Sequence, residues 1–477
     1  MSFWRTFGFQ SVSPIDTILE RDHFTLEDLL DEDDILTECK GQNKKLLEFL
    51  VNPDVLMKLV NYILDSPSHD EEKLRYKYSY LACEILCLDI WDISEAIFAS
   101  EALLTSLWGF FSKPAPLDSL VCSYLTRICG VLLQRQIRES FVFLQQQPDV
   151  VSGFVTHLEN PTVTELLLKL VSCDEVTGSG DFLNWLLSCE LVPQMLSKLT
   201  VEHSSTLHEN VVQAFESILE QIPLSFSSRF ITVLSSDESL DALIACLSSP
   251  SKSVFISSLT ILSKLLERST REETTLDLDP IDSLSPIIQR SVAALDQLVA
   301  RLALVAPLPA LDSSACSFDH DRIVSLPASY NQVITPIGPE RLKILEFFST
   351  LIRLRYSTVD AIVMEKGIIK TAFDLFVAYP WNNFLHTNVR NLISDVFSGI
   401  NLESKIAILE KGRLLDILID LAAQNDQFVC QQTTHFFLFS YFFFEFFYSL
   451  FFFGFFLFHQ FSVMERGSLL EKATWVS

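Results

Sequence analysis

The tripeptide Glu365-Lys366-Gly367 returns as Glu410-Lys411-Gly412, 45 residues further along the chain. Each copy runs into an apolar stretch, Ile368-Ile369 to Phe376 in one case and Leu414-Leu415 to Leu421 in the other. A fainter echo relates Asn52-Pro53-Asp54-Val55 to Gln147-Pro148-Asp149-Val150, 95 residues apart, about two such periods. Repetition at this length constrains the fold more than any local feature does. A unit of that size cannot cover its own apolar face, so it must stack on its neighbours and share one continuous core.

The units are helical. After Pro53, residues Val55, Leu56, Leu59, Val60, Ile63 and Leu64 form a stripe at helical spacing, and after Pro339 so do Leu342, Leu345, Phe348, Leu351 and Ile352. Helix starts are marked: Ser13-Pro14-Ile15-Asp16 combines an N-cap, a proline at the first helical position and an acid, and Thr25-Leu26-Glu27-Asp28 has the same cap-to-acid spacing. Alternating polar and apolar runs are absent, and the Val/Ile/Thr run from Phe230 to Leu234 is too isolated to found a sheet. Only 13 glycines are present, few for a protein with many βα turns. The expected fold is all-α, an armadillo/HEAT-like helical-repeat solenoid of two or three helices per unit.

The repeat pattern is interrupted between about residues 270 and 339, where seven of the 18 prolines fall. Inside this stretch Ile287 to Val305 still reads as a helix, with Ile288, Val292, Leu295, Leu298 and Leu302 on one face. The expectation is a structured insertion in a helical-repeat domain spanning residues 1–430.

A net charge of −26 argues against a nucleic-acid backbone binder, which needs a basic face, and against electrostatic docking to an anionic membrane. Ten cysteines in 477 residues are too sparse for a disulfide scaffold, no apolar signal segment opens the chain, and no Asn-X-Ser/Thr acceptor occurs. These features predict a reducing, cytoplasmic setting.

Catalytic and cofactor motifs are missing. No His-Glu-x-x-His, Cys-x-x-Cys, phosphate-binding Gly-x4-Gly-Lys-Ser/Thr or Gly-x-Ser-x-Gly occurs, so no catalytic residue, metal or cofactor is expected. Cys83 with Cys87, and Cys122 with Cys129, share helix faces; they read as core thiols, with a metal or redox pair as the rival account. Gly178-Ser179-Gly180 reads as a loop. The acids Glu27, Asp28, Asp31, Glu32, Asp33, Asp34 and Glu38 fail the calcium-loop pattern, since Leu36 stands where glycine is required. They read as a solvated helix start or as a docking surface for a basic partner.

From Phe436 to Phe461, 15 of 26 residues are phenylalanine, with Glu445 the only charge. Length and hydropathy suit a membrane span, yet the tract lacks the small residues that let helices pack in lipid. Three readings stand: intron sequence read as coding, a membrane anchor, or an unusual buried helix. Residues 431–477 are therefore set apart as an aberrant tail.

Several blocks carry a resemblance. Phe3-Trp4 followed by Ile15-Asp16-Thr17-Ile18-Leu19-Glu20-Arg21 resembles the opening of the SAPS-domain family, regulatory subunits of serine/threonine protein phosphatase 6. Leu36-Thr37-Glu38-Cys39-Lys40 with Gln42-Asn43-Lys44-Lys45-Leu46, Arg75-Tyr76-Lys77-Tyr78 with Cys83-Glu84, and Asp181-Phe182-Leu183-Asn184-Trp185-Leu186 are similar to further blocks of that family. The most specific is Tyr379-Pro380-Trp381-Asn382-Asn383-Phe384-Leu385-His386-Thr387. The resemblance implies a non-catalytic helical-repeat scaffold that binds the phosphatase 6 catalytic subunit, and ankyrin-repeat third subunits with it. The rival function is a membrane-tethered adaptor anchored by the phenylalanine tract.

The residues of the last block have their own local reading. Pro380 ends one helix and Asn382 or Asn383 caps the next, whose apolar face would include Phe384, Leu385, Val389, Leu392 and Ile393. Trp381 then plugs the inter-helix corner. Alternatively Trp381, Asn382, Asn383 and His386 line a partner surface, to which Arg75 and Tyr76 are the other candidates.

Overall fold

The computed structural model describes residues 13–65, 72–88, 90–147, 149–221, 224–269, 284–303, 326–327, 333–334, 336–379, 382–399 and 401–410. The chain divides into two compact units, Met1–Ile261 and Leu262–Ser477. Both are helical, as the periodicity predicts.

The first unit holds α1 (Pro14–Leu19), α2 (Leu26–Leu30), α3 (Ile35–Lys40), α4 (Lys44–Leu50), α5 (Pro53–Leu64), α6 (Glu72–Leu86), α7 (Trp91–Phe98), α8 (Glu101–Trp108) and a 3-10 turn at Gly109–Ser112. It continues through α9 (Ser119–Arg135), α10 (Ile137–Gln145), α11 (Asp149–Thr156), α12 (Pro161–Thr177), α13 (Asp181–Ser188), α14 (Leu191–Leu196), α15 (Ser205–Gln221), α16 (Leu224–Leu234) and α17 (Asp237–Cys246). The division between the units falls within α18 (Lys252–Ser269).

The recurring neighbour of a helix is the one three places on. In the first unit α1 packs on α4, α3 on α6, α4 on α7, α5 on α8, α6 on α9, α9 on α12, α11 on α14, α12 on α15, α13 on α16 and α14 on α17. The repeating unit is therefore three helices, the armadillo pattern, rather than a helix pair. The third helix is the long one: α6, α9, α12, α15 and α18 have 15 to 18 residues, and no other described helix of this unit exceeds 12.

Side-chain hydrogen bonds repeat at the same interval. His157 meets the carbonyl of Lys113, Arg229 donates to Asn184, Ser204 to Glu159, and His208 meets Ser253, with sequence separations of 44, 45, 45 and 45. The 45-residue spacing seen in the sequence is the length of one three-helix repeat. The 95-residue echo marks the starts of α5 and α11, six helices and two repeats apart.

Local chemistry explains the element boundaries. Thr25 forms the expected capping box with Asp28, and Asn52 accepts from Asp54 N at 3.0 Å ahead of Pro53. Val55, Leu56, Leu59, Val60 and Ile63 of α5 are buried. Each such side chain taken from water contributes on the order of 1.5–3 kcal/mol. The Gly178-Ser179-Gly180 loop is as expected, both glycines having positive φ (66° and 72°). Asp174 crosses it from α12, accepting from Phe182 N at 3.0 Å and Leu183 N at 2.8 Å to cap α13. The Phe230–Leu234 run lies in α16 and forms no strand.

Helix α11 approaches the 3-10 turn so closely that only glycine fits at Gly153. A Cβ there would lie 2.3 Å from the Phe111 carbonyl oxygen. Trp108, Phe111 and Phe154 fill the space beside it, fully buried, with ring centroids 5.3–6.4 Å apart.

The second unit holds α19 (Pro286–Ala293), α20 (Leu295–Ala303), α21 (Pro339–Arg353), α22 (Ser357–Glu365), α23 (Ile368–Ala378), α24 (Asn383–Ser398) and α25 (Leu402–Glu410). It also has a two-residue antiparallel pairing of β1 (Leu326–Pro327) with β2 (Val333–Ile334), the only strands among the described residues. The same rule governs it: α20 packs on α23, α21 on α24 and α22 on α25. Asn388 donates to Leu342 O across 46 residues of sequence.

The single helix expected over Ile287–Val305 is two helices that meet at Ala294. No proline or glycine marks the break. α20 packs on α21 and α23, while α19 packs on α20, so each buries its own stripe: Ile287, Ile288 and Ser291, then Leu295, Leu298 and Leu302. Val292, placed on the predicted face, is half-buried. The second Glu-Lys-Gly copy from Lys411 onward and the phenylalanine tract lie outside the described residues. No helix among the described residues is long and apolar enough to cross a membrane.

Candidate protein-interaction surface

The third helices of successive repeats form a ladder, and several of the candidate residues lie on them. On α6, Tyr76 and Tyr80 stand one turn apart and are 43% and 49% exposed. Between them, Tyr78 is held inward: its hydroxyl donates to Asp31 at 3.2 Å and its ring lies 5.4 Å from that of Tyr62. Lys77 also reaches Asp31, at 2.8 Å. Arg75 is on the same helix, and its side chain lies outside the described set. On α9, Arg127 pairs with Glu84 of α6. Leu120, the second residue of that helix, is 40% exposed.

The acids near the N-terminus are partly used by this surface. Glu27 accepts from the Tyr62 hydroxyl, which holds its carboxyl below the usual range. Asp28 is held low by its capping bond to Thr25 N. Asp31 receives Lys77 and Tyr78. Three of the seven clustered acids thus serve the helix start and the α6 contact.

The tryptophan block sits at the turn between α23 and α24. The helix ends at Ala378, ahead of Pro380 as expected, and Asn382 is the cap of α24, its side-chain oxygen accepting from Leu385 N at 3.0 Å. Asn383 is exposed. Leu385, Val389, Leu392 and Ile393 are buried as predicted, but Phe384 is 77% exposed and not part of the apolar face. It occupies the second position of the helix, where the turn carries it outward. His386 points the other way: it is 3% exposed, its ring stacked on Phe376 at 4.0 Å, and burial lowers its pKa. Trp381 lies outside the described residues.

The six candidate residues therefore divide. Arg75 and Tyr76 belong to the first unit; Asn382, Asn383 and His386 belong to the second. Tyr76 and Asn383 are outward-facing, whereas Asn382 is engaged as a cap and His386 is core. Tyr80 and Phe384 are further exposed aromatics beside these positions. Tyr80 was legible as the residue one helical turn after Tyr76; nothing in the apolar pattern set Phe384 apart from its buried neighbours.

Among the described residues, no group of three His, Cys, Asp or Glu side chains comes together to hold a metal ion. Cys122 and Cys129 are buried on α9, the core-thiol reading. The arrangement is one of surface side chains on a repeating support.

Known proteins resemble this sequence. A family model described as SAPS, SIT4 phosphatase-associated protein, matches residues 129–362 and 358–436. Serine/threonine-protein phosphatase 6 regulatory subunit 3-B of Xenopus laevis is 31% identical over 410 residues, covering 83% of this chain and 47% of its own length. The Homo sapiens regulatory subunit 1 is 28% identical over 457 residues, covering 90% of this chain and 52% of its own length. This chain thus spans about half the length of those relatives. Among solved structures, one from work on the cadherin–β-catenin interaction aligns over 85% of this chain and 66% of its own, at 13% identity and a TM-score of 0.36.

Proposed function

Because this chain belongs to the SAPS family of phosphatase-associated proteins, we propose that it is the helical-repeat portion of a regulatory subunit of serine/threonine protein phosphatase 6. In this reading it has no catalysis of its own. It holds the catalytic subunit, with ankyrin-repeat third subunits as further members of the assembly, and directs it to substrates in the cytoplasm. The observation that carries the reading is the family match, which takes in the second half of the first unit and the described repeats of the second. The repeating ladder is in keeping with it.

The proposed contacts are the exposed tyrosines Tyr76 and Tyr80 with Arg75 on α6, and Trp381, Asn383 and Phe384 at the start of α24. Aromatic anchors of this kind supply most of the energy in protein interfaces. His386 and Asn382 act behind them, fixing the turn. The direct experiment is co-purification of the full 477-residue chain with the phosphatase 6 catalytic subunit in mild salt. Recovery of a stoichiometric complex supports the reading. A folded chain that retains none of the catalytic subunit refutes it.

A further inference from the structure

We propose that Ser249 is a phosphorylation site for a proline-directed serine/threonine kinase, and that the phosphate it receives is held by the start of α18. Five serines or threonines of the chain stand directly before a proline: Ser13, Ser66, Ser249, Ser285 and Thr335. Ser249 alone has a lysine or arginine three places on, in Ser249-Pro250-Ser251-Lys252; the others have Asp16, His69, Ile288 and Gly338 there. A proline after the acceptor brings no N–H that a kinase cleft must satisfy, and a cation at that spacing pairs with negative groups on the enzyme.

The motif lies at the junction of α17 and α18. Ser249 and Ser251 are half-buried, while Pro250 and Lys252 are exposed. Ser249 N donates to Cys246 O at 3.0 Å, and Ser251 N donates to the Ser249 Oγ at 3.2 Å. These are turn bonds, which a short loop can exchange for those of an enzyme cleft. Two other helix starts have the same design with a different residue. Before α5 and α12, Asn52 and Asn160 each precede a proline and accept from the N–H two residues on, at 3.0 and 3.1 Å. At α18 a hydroxyl takes the place of the amide, and a hydroxyl is an acceptor for phosphoryl transfer. Ser13 differs in having its Oγ buried.

The Ser249 oxygen is also the outer end of a line of hydrogen bonds. It takes the Ser251 N–H; the Ser251 Oγ lies 3.1 Å from the Ser253 Oγ; and the Ser253 Oγ lies 2.9 Å from Nδ1 of the buried His208 on α15. A group added at Ser249 therefore acts on the join between α15 and α18.

In the transfer, the Ser249 Oγ attacks the γ-phosphorus of ATP held by the kinase. An O–P bond forms, the bond from that phosphorus to its bridging oxygen breaks, ADP leaves, and the hydroxyl proton passes to the carboxylate base of the kinase. The product carries about two negative charges and three strong acceptor oxygens. The Ser251 N–H and hydroxyl are beside it, and bonds from them become charge-assisted and stronger. Helix α18 is 18 residues long, and its dipole favours an anion at this end. The phosphate thus tightens the helix start rather than opening it.

The test uses the full chain, a proline-directed serine/threonine kinase with ATP and magnesium, and peptide mass mapping, with Ser13 and Ser285 as internal references. The expected result is phosphorylation of Ser249 at least about tenfold faster than of either reference. Lys252→Ala should slow it severalfold, and Ser249→Ala should remove that phosphopeptide. In the phosphorylated chain, hydrogen exchange at the Ser251 amide should slow about threefold or more. Phosphorylation of Ser249 no faster than of Ser13 and Ser285 overturns the proposal, and that comparison is read within the unsubstituted chain, so it holds even where a variant fails to fold. Modification of an isolated peptide spanning the motif, with none in the folded chain, also overturns it. Unchanged or faster exchange at Ser251 overturns the seating of the phosphate on α18.

Discussion

His208 on α15 and Ser253 on α18 are 45 residues apart in sequence, and the imidazole Nδ1 lies 2.9 Å from the serine hydroxyl. The other ring nitrogen, Nε2, is 2.9 Å from the Thr200 carbonyl. A carbonyl only accepts, so Nε2 carries the proton and Nδ1 accepts from Ser253. The ring is fully buried. One neutral imidazole thus ties the end of one repeat to the start of the next third helix.

That bond should make stability acid-sensitive. Burial lowers the His208 pKa from its ordinary value, and His386 is shifted the same way by the same cause. The folded state holds these protons less tightly than the unfolded chain. Their contribution is therefore complete above about pH 6.5 and is lost as pH falls below it. His208→Ala should cost about 2–3 kcal/mol at pH 7.5 in urea unfolding and flatten the acid limb of the stability profile. An unchanged acid limb would show that the imidazole does not titrate with folding.

Asp360 on α22 should behave with the opposite sign. Burial raises its pKa to about 6, with Arg355 opposing, and one carboxyl oxygen has no hydrogen-bond partner. The folded state binds this proton more tightly, so the group opposes folding above pH 6 and ceases to as pH falls through 6 toward 4. Asp360→Asn should stabilise the second unit by about 1–2 kcal/mol at pH 8 and by little at pH 4.5. Thermal or urea unfolding at the two pH values measures it; a loss at pH 8 would mean that the Arg355 attraction outweighs desolvation.

Gly153 and Gly109 give a matched pair. Alanine normally improves a helix, by roughly 1 kcal/mol over glycine. At Gly153 the added methyl meets the Phe111 backbone, so Gly153→Ala should destabilise by about 2 kcal/mol or more. A Cβ at Gly109 meets nothing within 4 Å, so Gly109→Ala should be neutral or slightly stabilising. Equal effects at the two sites would refute the close approach of α11 to the 3-10 turn.

For partner binding, Tyr76→Ala with Tyr80→Ala should weaken association with the phosphatase 6 catalytic subunit about tenfold or more, and Phe384→Ser should do likewise. Circular dichroism should be unchanged, since all three side chains are outward. Val142→Ser, at another exposed site, is the control. Wild-type affinity in both aromatic variants would place the contact elsewhere on the ladder.

The repeat length was legible in the sequence because each unit must present a similar module to the next. Glu365-Lys366-Gly367 marks the turn between α22 and α23, where Gly367 has φ of 68° and only a glycine is comfortable. The number of helices per unit was harder to read. Helices such as α13 and α14, of eight and six residues, are too short to show a period and are fixed by packing on α16 and α17. The break at Ala294 has the same origin, since it follows from which helices α20 must touch. Surface positions were the least legible. Phe384 and Leu385 are adjacent and equally apolar, yet one is outside and one inside, because direction around a helix start depends on where Asn382 caps it.

The three-places-on rule also bears on how the chain is made. In the first unit, no described side-chain hydrogen bond reaches more than 52 residues along the sequence. Each repeat can find its partners soon after it leaves the ribosome, without waiting for distant sequence, and topology of this kind folds quickly. Synthesis from the N-terminus would then lay down the first unit one triplet of helices at a time, with every finished turn of the stack serving as the template for the next.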